Sequence, residues 1–292
     1  MVQNTEIHRH YGIIIDMERG AVVCWICWGG HKTVLFSQER SISMIVKRDF
    51  IYTPKGKNRP LHIYLPKGYD TDMRRYPVMY FFDGHNLFSD SDATYGKCWG
   101  LEEFLDNWGK DLILVGIECG HEGNERLSEY LPYKAVPGSW ASAFKPMGKE
   151  TMDWIVDEIK PFIDREYRTL PDREHTAIGG SSMGGIMSLY GAVCYNAYFS
   201  KAACVSSAVG FCIRRVLKDI RQQDIAPDTR VSLSWGTKES FGGRASRWNR
   251  AIEAELKNRG CATLRYCQHG GKHCEADWEK QNGIFMDFLW QA

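Results

Sequence analysis

Residues Gly180-Ser181-Ser182-Met183-Gly184 carry the spacing G-x-S-x-G. The two glycines fix the register and leave Ser182, not Ser181, as the central serine. The apolar string HTAIG precedes this motif and the string MGGIMSLYGAVC, which reads as a helix, follows it. A serine held on so sharp a strand-to-helix turn presents its hydroxyl as a nucleophile, and small neighbours let strand and helix pass close together. The chemistry served is attack on an acyl carbonyl, with the helix N-terminus supplying N–H groups and a positive dipole end near the reacting oxygen. Taken alone, five such residues are equally a glycine-rich turn with a capping serine. The strand–turn–helix setting favours the nucleophile.

A serine of this kind needs a carboxylate and a histidine later in the chain, each after a further strand. The string RVSLSWG runs into Thr237-Lys238-Glu239, which puts Glu239 at a strand exit. Asp219 and Asp224 compete, but they fall within or just after an apparent helix. The string ATLRYCQ runs into HGGKHCEADW, which offers His269 and His273. His273 is preferred because it follows flexible glycines and can reach over the nucleophile, whereas His269 is at the strand end. In the usual roles Ser182 attacks, His273 carries the proton, and Glu239 holds the imidazole tautomer. The oxyanion of the tetrahedral intermediate needs two backbone donors. One is the N–H of Met183. The other is expected from the turn Gly84-His85-Asn86 after the strand PVMYFFD, with His85 chosen and Gly84 or Asn86 as alternatives.

The elements that must hold these groups follow from periodicity. From Tyr76 onward short apolar strands alternate with amphipathic helices, which implies an α/β fold with a mostly parallel central sheet and helices on both faces. Sites in such sheets lie at the C-terminal ends of strands. TMDWIVDEIKPFIDREY reads as one helix disturbed at Pro161. The segment Cys119–Gly148 is too long for a mere connector and is expected to wall the site. The chain before Arg48 is β-rich, with strands in YGIII, AVVCWICW and TVLF. Residues 1–47 are therefore read as an N-terminal extension packed on the core, and 48–292 as the catalytic domain.

Bulk properties narrow the class. The chain has 292 residues, 43% hydrophobic and 25% charged, with a formal net charge of +1. That balance points to neither nucleic acid nor a membrane surface as partner. No run is apolar enough to span a bilayer, and the first residues lack a secretory pattern. A cytoplasmic location is expected. The ten cysteines are scattered, and Cys194, Cys204, Cys212 and Cys267 are read as buried free thiols. Cys24 and Cys27 form a CxxC, but on a strand those positions face opposite sides. No metal is assigned to them, nor to the lone loop histidine His85.

The strings YPVMYFFDGHNLF, IKPFIDREYRT, AIGGSSMGGIMSLY, WGTKES and GGKHCEADW occur in this order from about Arg48 onward. Together they resemble the esterase family of α/β-hydrolases, which includes feruloyl and acetylxylan esterases, ferric-enterobactin esterases, S-formylglutathione hydrolases and mycolyl transferases. The resemblance implies the α/β-hydrolase fold, Ser182 as nucleophile, Glu239 as acid, His273 as base and a mechanism without a cofactor. Many relatives carry Asp where this chain has Glu239. The stretch before Arg48 has no counterpart in the resemblance and is assigned to substrate access or to contact between copies of a homo-oligomer.

The expected substrate is a small-molecule ester, on acylated carbohydrate or an aryl acid. A thioesterase or acyltransferase using the same triad, or a non-catalytic binding protein on the same scaffold, are the competing readings. Trp99, Trp140 and Phe144 lie in the two long loops and are read as substrate contacts. Arg126 and Glu129 are read first as an internal ion pair bracing their loop, and second as a grip on a polar substrate.

Overall fold

The computed structural model describes residues 10–16, 21–28, 31–36 and 43–291. Contacts divide the chain into two compact units, 1–42 and 43–292. In the first, β1 (His10–Asp16), β2 (Ala21–Trp28) and β3 (His31–Phe36) form an antiparallel meander. The side chains on which the expected packing of this segment against the core depends lie outside the described residues. The division falls a little before the 47/48 boundary read from the sequence, because β4 (Met44–Arg48) pairs with a strand of the second unit.

In that second unit β5 (Ile51–Tyr52) and β6 (Lys57–Asn58) make a small hairpin. Then come β7 (Leu61–Leu65), β8 (Val78–Phe82), helix α1 (Leu101–Asn107) and β9 (Ile113–Ile117). The long segment after β9 contains a short helix α2 (Glu125–Glu129). Helices α3 (Gly148–Trp154) and α4 (Lys160–Glu166) follow, then β10 (Thr176–Ser181), α5 (Met183–Cys194), β11 (Lys201–Val205) and α6 (Ile213–Gln222). The chain closes with β12 (Arg230–Gly236), α7 (Gly242–Asn258), β13 (Ala262–Gln268), α8 (Glu275–Trp278) and α9 (Asn282–Leu289). Among the described residues no helix is long and apolar enough to cross a membrane.

The main sheet has eight strands in the order β13-β12-β11-β10-β8-β9-β7-β4. Strands β8 to β13 run parallel, and β7 is antiparallel to its neighbours β9 and β4. The chain moves outward from β8 to β9, crosses back to β10 on the other side of β8, and then proceeds the opposite way through β11, β12 and β13. That reversal makes the crevice between β8 and β10 a topological switch point, where a ligand can enter between diverging loops.

Alternate residues of β8 serve different layers. Val78, Tyr80 and Phe82 join the larger apolar cluster under α3 to α7, while Met79 and Phe81 join the cluster under α1 and α9. A strand covered on both faces must be apolar throughout, as VMYFF is. The disturbance expected at Pro161 takes the form of a π turn over Ile155–Ile159, between α3 and α4. Proline has no N–H to donate and its ring crowds the carbonyl four residues back, so the wider turn accommodates both. The last helix is not continuous as its sequence suggests; a 3-10 turn over Glu279–Gln281 separates α8 from α9.

Candidate active site

Three strand ends build the site. Among the described residues the non-glycine positions with positive φ are Asp83 (61°), Ser182 (55°) and Ser206 (48°). They directly follow β8, β10 and β11, three neighbouring strands at the switch point. Such backbone costs of order 1–3 kcal/mol per residue and persists only where the surroundings over-determine it. At Ser182 the surroundings are glycines. A Cβ on Gly180 would come within 2.8 Å of the Gly184 backbone, and one on Gly184 within 2.9 Å of Phe82 Cβ. The strand and α5 can cross this closely only with hydrogen in both places.

Ser182, Met183, Glu239, His273 and Trp140 all line one cleft of about 560 Å³. The His273 Nδ1 lies 3.1 Å from Glu239 Oε2. The other oxygen, Oε1, accepts from Ser206 Oγ at 2.6 Å and from the Gly236 N–H at 2.6 Å. Burial pushes the Glu239 carboxyl up, but the hydrogen bonds from His273, Ser206 and Gly236 outweigh it and hold the group below its ordinary value. An ionised carboxylate only accepts, so His273 Nδ1 carries the proton and Nε2 presents its lone pair. The Trp278 indole N–H donates to Ser206 Oγ at 2.9 Å and its ring meets the edge of His273 at 5.0 Å. Two groups absent from the sequence reading, Ser206 and Trp278, thus hold Glu239 and His273 in place. The histidine remains partly exposed, with 43% of its side chain accessible against 8% for Glu239. Among the described contacts Ser182 Oγ makes no hydrogen bond.

The turn after β8 is a single 3-10 turn, Gly84–Asn86. The Asn86 N–H donates to Asp83 O and the Leu87 N–H to Gly84 O, while those of Gly84 and His85 have no acceptor among the described residues. The imidazole of His85 lines a different cavity, with His62 and Phe88. Any part His85 takes beside Ser182 is therefore played by its backbone.

Arg126 and Glu129 do not pair with each other. Arg126 Nε and Nη2 donate to the two oxygens of Asp83, each at 2.7 Å, and Glu129 receives Arg59 Nη2 at 2.7 Å. Burial raises the Asp83 carboxyl, yet the adjoining guanidinium more than reverses this and holds it below its usual value. The expected Arg126–Glu129 ion pair is thus replaced by pairs with partners distant in sequence. Arg126 also lines the cleft.

Among the expected substrate contacts, Trp140 is 55% exposed on the cleft wall and packs edge-on against Phe211 (5.0 Å) and Phe144 (5.7 Å). Phe144 supports Trp140 from behind without lining the cleft. Trp99 is corrected: it is 1% exposed, stacked 5.6 Å from Trp278 in the core, and out of reach of a substrate. The rest of the aromatic lining, Phe211, Phe241 and Trp248, with Arg244, comes from the loop after β11 and from α7 and the residues before it; its only sequence signal was the phenylalanine in each of two loops after strands. Cys267 is corrected too. It lies exposed on β13, an edge strand, whereas Cys204 and Cys212 are buried as expected.

The family described as "Putative esterase" matches residues 54–285. The uncharacterized protein YbbA of Bacillus subtilis is 25% identical over 220 residues, 73% of this chain and 84% of that protein. Esterase Rv1288 of Mycobacterium tuberculosis is 30% identical over 148 residues, 51% of this chain but only 29% of that longer protein. Among solved structures, the BES protein from Bacillus cereus superposes with a TM-score of 0.69 at 17% identity, covering 89% of this chain and all of the other. A ferulic acid esterase superposes at 0.65 with 16% identity, covering 86% of this chain and 98% of the other.

Proposed function

Since the chain belongs to this esterase family and is a carboxylic ester hydrolase, we propose that it works through an acyl-enzyme on Ser182, with His273 as base and Glu239 as its acid partner. The observation that carries this is one cleft holding the strained Ser182, His273 and the His273–Glu239 hydrogen bond. Ser182 Oγ attacks the carbonyl carbon as His273 Nε2 takes its proton. Glu239 stays ionised and stabilises the imidazolium. The oxyanion is met by the N–H of Met183, at the start of α5, and by the N–H of His85. His273 then protonates the leaving alcohol, and water, activated by the same imidazole, releases the acid.

The cleft walls favour an ester with an aryl or comparably bulky apolar group, since Trp140, Phe211, Phe241 and Trp248 surround the approach to Ser182. One curated relative, the endo-1,4-beta-xylanase/feruloyl esterase of Xylanibacter ruminicola, is 30% identical over 139 residues, although this chain covers only 17% of it. Its name agrees with an aromatic acyl group. The eight cysteines from Cys98 to Cys274 are free thiols, which fits a reducing cytoplasm.

The test is covalent. A fluorophosphonate probe labels Ser182, identified by peptide mapping, and Ser182→Ala loses both labelling and ester hydrolysis by ~10³-fold or more. Ser181→Ala keeps both. Labelling that survives in Ser182→Ala, or is lost in Ser181→Ala, rejects the assignment.

A further inference from the structure

At the turn that follows β8 lies a cluster of side chains the esterase mechanism does not use. His85, Cys119 and His121 each offer one ligand atom, and these atoms lie within 4.8 Å of one another. His85 and Cys119 are buried, 7% and 2% exposed, and His121 closes the cluster from a surface loop. The sequence offers His85 as a lone loop histidine; the fold brings it two companions from the far end of β9.

Second contacts prepare two of the three ligands. His121 Nε2 is 2.7 Å from Glu118 Oε1, and the same carboxylate meets His62 Nε2 at 2.7 Å. The carboxylate anchors Nε2 of His121, which leaves Nδ1 as the nitrogen available to the cluster. His85 Nε2 is held at 2.9 Å by the Thr94 hydroxyl. His85 Nδ1 is a buried nitrogen without a hydrogen-bond partner. A buried polar atom with nothing to bond is costly, and here it faces a thiol and a second imidazole. Histidines whose far nitrogen is anchored by a carboxylate or hydroxyl, with the near one free, are how proteins prepare imidazole for a metal.

We propose that His85 Nδ1, Cys119 Sγ and His121 Nδ1 form a binding site for a thiophilic divalent cation, Zn²⁺ being the best match. Two nitrogens and one sulfur suit a d¹⁰ ion that takes tetrahedral N/S coordination, with the fourth position left to water. Ligand atoms around such an ion sit about 3.5 Å apart, so the cluster must tighten by roughly an ångström. His121, on an exposed loop after Gly120, supplies that movement. Binding replaces the S–H bond of Cys119 with an S–metal bond and releases one proton to solvent, so affinity rises with pH.

The test uses the full chain in a Cys24→Ser/Cys27→Ser background, which removes the CxxC as a second source of thiolate. Calorimetric titration with ZnCl₂ should show one equivalent bound. Co²⁺ in its place should give a thiolate-to-cobalt charge-transfer band. His121→Gln, a surface change that leaves the fold intact, should weaken Zn²⁺ at least ~10-fold, and Glu118→Gln should do so by ~10- to 100-fold. Cys119→Ser should abolish the cobalt band. Ser182→Ala should bind Zn²⁺ like its parent, which keeps this result separate from the esterase assignment. Absence of a bound equivalent, or equal affinity in His121→Gln, overturns the site, as does a cobalt band that persists in Cys119→Ser.

Discussion

Ser182 stands between two carboxylates of opposite construction. On the β12 side, Glu239 is bonded by neutral donors and by a histidine that remains partly exposed. On the β8 side, Asp83 is clamped at both oxygens by one guanidinium, and its backbone N–H donates to the buried Tyr130 hydroxyl. Both carboxyls are held below their ordinary values, but for different work. In the proposed mechanism the histidine beside Glu239 gains and loses a proton in every turnover, so it needs room and solvent. Asp83 must never change charge; its task is to hold the turn and the loop of α2 against the elbow, where its Oδ2 would lie 3.5 Å from a Cβ at Gly184. Placing a titrating pair and a locked pair on either flank lets one side of the site move while the other stays still.

The largest expected effect probes the titrating flank. His273→Ala should lower kcat/KM for an activated ester by ~10³-fold or more, with a melting temperature within a degree or two of the parent, because the side chain is partly exposed. Glu239→Gln should cost less in rate but more in stability, since Gly236 and Ser206 then face a neutral amide. A His273→Ala variant that melts much earlier would make that flank structural and erase the contrast.

The locked flank should answer in the other currency. Arg126→Met leaves a buried carboxylate without its partner and should destabilise the fold by about 3–5 kcal/mol, read by denaturant titration. The double variant Asp83→Asn/Arg126→Met should recover part of that loss. If Arg126→Met instead leaves stability unchanged and raises KM for anionic esters alone, the guanidinium serves substrate before structure.

Acidification separates the flanks next. The proposed base works only when His273 is neutral, so kcat/KM should fall on acidification. Asp83, Glu239 and Glu118 have folded values below their unfolded ones. Their stabilisation is fully present above the unfolded carboxylate values, near 4, and is lost only as pH falls through the lower folded ones. Parallel profiles of kcat/KM and melting temperature should therefore part company, activity declining first. Coincident declines would mean that the acid limb of activity is unfolding.

The smallest effect lies on the wall. Trp140→Ala should shift the ranking of acetyl, butyryl and feruloyl esters by roughly 10-fold with little change in melting temperature. Phe144→Ala should act in the same direction and more weakly, since Phe144 touches Trp140 rather than the cleft. Lower melting temperatures with an unchanged ranking would place both in the core.

Much of the titrating flank was legible in the sequence because it is written locally. The G-x-S-x-G turn, the exit of RVSLSWG and the glycines before His273 are each short signals in a fixed chain order. The alternation from Tyr76 onward likewise announced the parallel sheet. The locked flank was hidden, since Asp83 and Arg126 are 43 positions apart and meet only once β8 and β9 are paired. Arg126 invited a local partner, Glu129, and took a distant one. Trp99 misled for a related reason: an aromatic in a long loop near the site can turn inward or outward, and Trp278, far along the chain, decided the matter. Cys267 followed an apolar pattern on β13, at the edge of the sheet, and there the pattern met solvent.

The left-handed backbone at Ser182 has a consequence for descent as well as for chemistry. Glycine alone would sit there without strain, relieving about 1–3 kcal/mol, less the ~0.5–1 kcal/mol that glycine gives up in unfolded-chain entropy. Ser182→Gly should thus be as inert as Ser182→Ala and melt higher than it, the two dead proteins differing only in a methyl group. If Ser182 is the nucleophile, as proposed, selection for hydrolysis keeps a serine where folding prefers none. In any lineage released from that selection, the first residue expected to drift is the nucleophile itself, and the direction of drift is toward glycine.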